Sequence, residues 1–399
     1  MIQRTKYLNM IEDFIDRDLI KVLIGVRRSG KTVLLSQIGE RLRTRGVLEE
    51  QLIYLNFESL QNAALLKDHA LYRYLVQEAE RKKTKLYLLL DEIQEVEDWQ
   101  RIINSLRVDL SCDIYLTGSN SKLLSGELAT HLSGRYILLS VLPFDLREMK
   151  EFLQTEGTFV SDDALFADYL MFGGFPGRLQ LRDRHSTEMY LSDLYEAVII
   201  RDIVARHEIR EVPLLKRLLS YLLDNVGNPF SIRSVTGTLV SNGYKVSVST
   251  AASYIEYIKE AFVLMSAQRY DIIGKKLLET TEKYYAVDPG IRNINKTSEK
   301  IDYAKLYENL VYLKLIGDGY RVYIGKLDSR EIDFIATRGT EKLYIQVAYL
   351  ITDSDAQREF GNLEEIRDNY PKYVISSDPV DLSRNGIIHK NIIKFLLGE

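Results

Sequence analysis

The sequence predicts an α/β protein, with a parallel sheet in its first third, a helical stretch after it, and a second mixed α/β module toward the C-terminal end. Three observations carry this expectation. Short β-branched runs alternate with helical stretches over residues 19–140, the pattern of a parallel sheet. Residues 25–32, GVRRSGKT, fill the pattern G-x-x-x-x-G-K-[ST] between a strand and a helix. Residues 86–92, LYLLLDE, read as an apolar strand that ends in two carboxylates.

The first strand is the β-branched run LIKVLI at 19–24, and the helix over 33–45 carries Leu34, Leu35, Ile38 and Leu42 at helical spacing. Further strands are expected at 51–57, 85–90, 113–117 and 135–139. Residues 143–208 read as mostly helical, interrupted by the turn GGFPG at 173–177, which reads as a hinge or break. Residues 231–242 and 249–261 are two short helices, each opened by a serine cap and joined by 243–248. With the strand-like run 262–270 behind them they form a helix-turn-helix with a wing. The third module has a helix at 303–317, strands at 321–325, 331–337 and 342–348, a helix at 355–369 and a strand at 372–376. No internal repeat or low-complexity segment is visible. The expected division is a phosphate-loop core at 1–142, a helical lid at 143–208, a winged helix-turn-helix at 209–280 and the last module at 281–399.

With 399 residues the chain is long enough for two or three domains. A hydrophobic fraction of 46%, a charged fraction of 28% and a net charge of −4 are those of a soluble globular protein without an overall pull toward polyanions. The single cysteine, Cys112, excludes an internal disulfide and a cysteine-rich zinc site. No run approaches the ~20 apolar residues needed to cross a bilayer, and residues 1–10 lack a signal-peptide core. A cytoplasmic protein without membrane attachment is expected.

The chemistry of the loop explains its residue types. Gly25 and Gly30 let the backbone curl so that successive N–H groups face phosphate oxygens. Lys31 bridges the β- and γ-phosphates, the Thr32 hydroxyl ligates Mg²⁺, and the helix that begins there turns its positive end to the anion. Arg28, Ser29 and Val33 complete the expected ATP-binding set. Asp91 is expected to hold the Mg²⁺ shell and Glu92 to polarise the attacking water, since hydrolysis needs a metal acid and a separate base. One strand later, Asn120, with Ser119 second, is the candidate for contact with the γ-phosphate. Arg135 is the first candidate for a transition-state arginine, in cis or from a neighbouring subunit, and Arg201 the second.

Taken together, GVRRSGKT, LYLLLDEIQ with Trp99 following, TGSNS at 117–121, HLSGRY at 131–136, LPFDLREM at 142–149 and GGFP resemble the bacterial and archaeal AAA+-type P-loop ATPases. More narrowly, they resemble the subgroup with a C-terminal domain of unknown function, and the resemblance spans essentially the whole chain. It implies an AAA+ sheet in which the catalytic glutamate directly follows the metal aspartate, as Glu92 follows Asp91, and it puts Asn120 or Ser119 at the first sensor position.

That subgroup typically ends in a module similar to the PD-(D/E)XK nucleases. The matching landmarks are 284–288 with Gly290, the pair Glu308-Asn309, and EIDF at 331–334, where Asp333 takes the first acidic place. The next strand reads YIQVA, so Gln346 and Ala348 stand where glutamate and lysine are expected. A neutral amide and a methyl group cannot anchor a metal or raise a nucleophile's basicity. No nuclease activity is expected, and the module is left to pack, dimerise or bind a partner. The second helix of the helix-turn-helix offers only Lys259 as a cation, with Arg269, Lys275 and Lys276 on the wing side, so DNA contact and interdomain packing both remain open.

The leading expectation is an Mg²⁺-dependent ATP hydrolase whose cycle drives a conformational switch, in a regulatory or DNA-associated role. Its alternative is a nucleotide-dependent module with little turnover that holds a protein or DNA partner. A neighbouring subunit is compatible with either.

Overall fold

The computed structural model describes residues 2–119, 134–295 and 302–399. They fall into two compact units, one of Met1–Leu142 with Glu260–Phe262 and one of Pro143–Lys259 with Val263–Glu399.

The first unit is built on five parallel strands, β1 (Ile20–Ile24), β2 (Leu52–Asn56), β3 (Leu86–Asp91), β4 (Cys112–Gly118) and β5 (Tyr136–Ser140), in the order β2-β3-β4-β1-β5. Every residue of β1 and β3 is buried, because helices cover both faces of the sheet. The two-residue period of a strand separates the faces. Leu23, Leu89 and Tyr115 pack against the helices Thr5–Glu12 and Lys31–Thr44 through Tyr7, Leu8, Ile11, Leu34 and Ile38. Val22, Leu88, Leu90 and Ile114 face the helices Ala70–Lys82 and Trp99–Asp109 through Leu71, Leu75, Trp99 and Ile103. The one charge within β1, Lys21, is fully buried and paired with Asp113 of β4, which also accepts from the Tyr115 hydroxyl at 2.8 Å. Because β4 lies between β1 and β3, the C-terminal ends of these three strands stand side by side.

The second unit opens with the helices Leu146–Thr155, Asp162–Phe172, Arg184–Ala197 and Val212–Asp224. The turn at 173–177 breaks the helical run, as the sequence suggests, but it is pinned rather than hinged. Gly173 adopts φ 71°, ψ −166°, a region essentially reserved for glycine, and the Gly174 N–H donates to Asp288 Oδ2 at 2.7 Å. Asp288, 1% exposed, also accepts from the N–H groups of Gly290 and Ile291, so one buried carboxylate caps a helix start and holds the turn. Burial pushes its pKa up to about 6 against the pull of those three N–H donors.

An eight-stranded sheet, β13-β12-β11-β10-β9-β7-β8-β6, runs through the rest of this unit. Its strands are β6 (Pro229–Phe230), β7 (Leu264–Asp271), β8 (Lys276–Ala286), β9 (Arg321–Leu327), β10 (Arg330–Arg338), β11 (Glu341–Val347), β12 (Lys372–Ser376) and β13 (Ile388–Asn391). Between β6 and β7 stand the helices Ile232–Ser241 and Val248–Glu260. Ser231 caps the first, accepting from Ser234 N at 3.2 Å. The second is capped by Ser247, which accepts from Thr250 N at 3.0 Å, and not by Ser249, whose hydroxyl is bonded to that of Ser247. The helix Tyr303–Gly317 is fixed to β8 by Asn309, whose amide exchanges hydrogen bonds of 2.8 and 2.9 Å with the backbone of Ala286. The helix Asp353–Glu364 follows β11 and the short helix Ile392–Leu397 follows β13.

Candidate active site

The loop after β1 is shaped by residues whose size and backbone angles leave no alternative. Gly25 sits at φ 150°, and a Cβ there would lie 2.2 Å from the carbonyl oxygen of Val141. Arg28 and Gly30 both have positive φ, at 66° and 97°, and Gly30 opens the helix Lys31–Thr44. The Arg4 guanidinium, 1% exposed, donates to the carbonyls of Ser29 and Leu142 at 3.0 and 3.1 Å and so ties the N-terminal segment to the loop. Lys31, 4% exposed, turns back over the loop and donates to the carbonyl oxygens of Gly25 and Val26 at 2.9 and 3.1 Å. Its ammonium thus closes a ring of backbone that begins at β1 and ends at a helix N-terminus, a ready site for an anion.

Asp91, the last residue of β3, is fully buried beside this ring. Its Oδ1 accepts from the Thr117 hydroxyl at 2.5 Å and its Oδ2 from the Asn56 amide at 2.9 Å, and the Thr32 hydroxyl is near enough to lower its pKa. Burial raises the Asp91 pKa, the hydroxyls of Thr117 and Thr32 and the charge of Lys31 oppose that rise, and the neighbouring Glu92 adds to it. Burial beside the same carboxylate pushes the Tyr54 phenol up to about 12. Glu92 is 9% exposed and adopts the left-handed conformation, φ 54°, ψ 52°. Its backbone N–H donates to Thr117 Oγ1 at 2.8 Å, so one threonine hydroxyl contacts both acidic residues. The oxygens of Thr32 and Asp91 make a hard, anionic donor set suited to a small divalent cation.

Of the residues singled out by sequence, Gly25, Gly30, Lys31, Thr32, Asp91 and Glu92 are brought together at the C-terminal edge of the sheet, and Arg28, Ser29 and Val33 belong to the same loop and helix start. Ser119 lies one residue beyond β4 at that edge, 1% exposed, with its hydroxyl unpaired among the described residues. Asn120 lies outside the described residues, as do 131–133 of the HLSGRY run. Arg135 is not brought to the loop of its own chain. It precedes β5, whose Tyr136 is in register with Ile20 at the start of β1, and its guanidinium contacts Asn104 at 3.3 Å. Five residues of β1 separate that end of the sheet from the loop, about 16 Å at strand rise, so a role in cis is corrected by the parallel register. Arg201 lies in the second unit, on the segment Val198–Ala205.

An AAA domain model matches residues 17–150 and a domain of unknown function (DUF8612) matches residues 163–300. An uncharacterized protein of Haemophilus influenzae is 40% identical over 377 residues, 94% of this chain and 93% of that protein. An uncharacterized protein of Methanocaldococcus jannaschii is 31% identical over 359 residues, 87% of this chain and 78% of the other. The chain belongs to the family of these proteins. Among solved structures, it is similar to a Walker-type ATPase of Pyrococcus abyssi, with a TM-score of 0.49 and 16% identity over 74% of this chain and 96% of that one. It is also similar to the Aeropyrum pernix ORC1 protein in complex with DNA, with a TM-score of 0.32 and 17% identity over 73% and 90%. The AAA match covers the first sheet, and the match to the domain of unknown function begins in the second unit. Among the described residues no helix is long and apolar enough to cross a membrane.

Sequence reading missed Asn56, Thr117, Gln94 and Arg4. Two of these were recoverable, because parallel strands align their C-terminal ends. Asn56 is in register with Asp91, and Leu116 with Leu90, which sets Thr117 beside Asp91. Nothing in the local sequence of Arg4 signals a contact with residues 25 and 138 positions away.

The second acidic cluster has a different character. Asp333 and Gln346 face each other on β10 and β11, where Asp333 N donates to Gln346 Oε1 at 3.2 Å and Asp333 Oδ2 accepts from Val347 N at 2.8 Å. The neighbouring cation is a side chain. Lys283, 1% exposed, donates to Glu308 at 2.9 Å and to Glu331 at 2.7 Å, and Tyr285 donates to Glu308 at 2.7 Å. Burial works against the Lys283 charge, but the carboxylates of Glu308, Asp333 and Glu331 hold its pKa above the ordinary lysine value. Burial and the nearby Glu308 push Asp333 up to about 7.

This shift has a sign that can be measured. Between about pH 4 and pH 7 folded Asp333 keeps a proton that the unfolded chain has released, so its contribution to stability is full at low pH and is lost as pH rises. The neutral isostere Asp333→Asn is expected to remove that loss, on the order of 4 kcal/mol across the window. Urea denaturation of both proteins at a series of pH values tests it, and parallel stability curves would contradict the assignment.

Proposed function

We propose that the chain is an Mg²⁺-dependent ATP hydrolase whose catalytic centre is the first unit's sheet edge. The observation that carries this reading is the buried Asp91 carboxylate at the end of β3, set beside Lys31 and Thr32 of the phosphate loop, both of which pull its pKa down against burial. In this reading the backbone of 25–30 and Lys31 hold the phosphates. Thr32 and Asp91 hold the Mg²⁺, which when bound neutralises phosphate charge. The buried Asp91 carboxylate and the exposed Thr32 hydroxyl are hard oxygen donors that fit that ion.

The protein's own part is orientation. Asn56 and Thr117 fix both oxygens of Asp91, which keeps the carboxylate from rotating out of a cation's reach. Thr117 holds the Glu92 backbone in its left-handed turn, a conformation that costs of order 1–3 kcal/mol and persists only when its surroundings impose it. Glu92 is the general base, and Ser119 or Asn120 senses the γ-phosphate. Arg135 acts only in trans, on a neighbouring subunit's site.

In the second unit, the order helix, β6, two helices and the β7–β8 hairpin supports a winged-helix reading. The order helix, β9, β10, β11, helix and β12 supports a degenerate nuclease-like module. We place no nuclease chemistry there, since Lys283 fills the acidic cluster. Plasmid DNA incubated with Mg²⁺ is expected to stay uncut by wild type and by Asp333→Asn alike. In the winged-helix reading, Lys259 pairs with Glu256 at 3.0 Å and Arg269 with Glu331 at 3.4 Å, which leaves Lys275 and Lys276 on the hairpin as the phosphate contacts for a DNA partner.

The division into a phosphate-loop core, a helical lid, a winged helix and a nuclease-like module is retained within this proposal. Glu92→Gln separates hydrolysis from nucleotide holding: this variant is expected to bind ATP as wild type does and to release no phosphate.

A further inference from the structure

Gln94 lies two residues after Glu92, in the short 3-10 turn Ile93–Glu95 that follows β3. Ile93 is fully buried and anchors the turn in the core, so Gln94 is carried back toward the sheet edge. Its Nε2 donates to Glu92 Oε2 at 2.5 Å. Its Oε1 is buried and meets no donor among the described residues. A buried carbonyl without a donor costs roughly 1–3 kcal/mol. The contrast with the adjoining residue is sharp, because both oxygens of Asp91 have donors. An orphan acceptor of this kind, fixed against a carboxylate, suits a water molecule, which needs about two to four polar partners to be held.

We propose that Gln94 orients the attacking water together with Glu92, its Nε2 fixing the carboxylate and its Oε1 accepting one hydrogen of the water. The proposal rests on the reading of this site as an ATP hydrolase. In that reaction the water oxygen bonds to the γ-phosphorus while the bond from phosphorus to the β–γ bridging oxygen breaks. The electron pair of the broken bond leaves with ADP, and one water proton passes to Glu92, which later returns it to solvent. Gln94 neither gains nor loses a proton. Two acceptors set at an angle around one water fix the direction of its lone pair, which a carboxylate alone leaves free to swing.

The test compares ATP turnover, ATP affinity and thermal unfolding of wild type, Gln94→Ala, Gln94→Met and Glu92→Gln. Gln94→Ala and Gln94→Met are expected to lose about 10- to 100-fold in kcat, part of the 10²–10⁴ that positioned acid–base groups supply. Their ATP affinity and unfolding midpoint stay near wild type. A purely structural role would lower the midpoint or the affinity along with kcat, which overturns the proposal. Wild-type rates in both Gln94 variants overturn it as well, whatever Glu92→Gln does. Full turnover in Glu92→Gln removes the base and with it the paired cradle, and a wild-type protein that turns over no ATP overturns the hydrolase reading itself.

Discussion

Replacing Gly173 by alanine is expected to destabilise the second unit by about 3–5 kcal/mol, the sum of a backbone term and an overpacking term. The backbone term comes from φ 71°, ψ −166°, which a Cβ strains. The packing term comes from Asp288, whose Oδ1 would lie 1.8 Å from the new methyl group. Asp288 cannot swing aside cheaply, since it is fully enclosed and holds the N–H groups of Gly174, Gly290 and Ile291. A domain's whole stability is about 5–15 kcal/mol, so this one methyl removes a large share. Chemical denaturation of wild type and Gly173→Ala measures the difference. A change under about 1 kcal/mol, the size typical of an unremarkable substitution, would show that the turn is not pinned.

Lys31→Ala is expected to weaken ATP binding by about 10²- to 10³-fold, or roughly 3–4 kcal/mol. Lys31 is almost wholly buried and bonded to the loop's own carbonyls, so its ammonium is already desolvated and aimed into the ring before a phosphate arrives. The alanine variant loses that charge and the two hydrogen bonds it donates to the carbonyls of Gly25 and Val26. Equilibrium titration with ATP and Mg²⁺ reads the effect directly. Equal affinity in the two proteins would mean that residues 25–32 are a helix-capping turn and not a nucleotide site.

Most of the architecture was legible because its signals are local. Strand runs such as LYLLLDE and the helix at 303–317 carry their period and caps in a few residues, and the structure sets Tyr303–Gly317 at those bounds. The loop, Asp91 and Glu92 were legible for the same reason. What failed depends on register and on distance. Arg135 reads as a neighbour of the site in sequence, yet parallel pairing of β5 with β1 puts it at the far end of the sheet. The cap of Val248–Glu260 is Ser247 and not Ser249 because the helix starts at Val248, which puts Ser249 inside its first turn. The turn at 173–177 reads as a hinge from its glycines alone, and the carboxylate that immobilises it stands 114 positions away. The lysine that pairs with Glu308 comes from β8 and has no motif to announce it.

The two units also distribute charge differently. The hydrogen-bond partners of Asp91 are the neutral Thr117 and Asn56, with the Lys31 charge nearby. Around Glu308 the charge is met by direct ion pairs with Lys283 and Lys305, at 2.9 and 3.1 Å.

The measurement that bears most directly on the central claim is phosphate release from ATP and Mg²⁺ by wild type and Glu92→Gln, with ATP binding followed on the same samples. The account predicts steady release by wild type, none by Glu92→Gln, and equal ATP binding by both. Equal release from the two proteins, or ATP held by wild type without release, would contradict it and favour a nucleotide-dependent binding module.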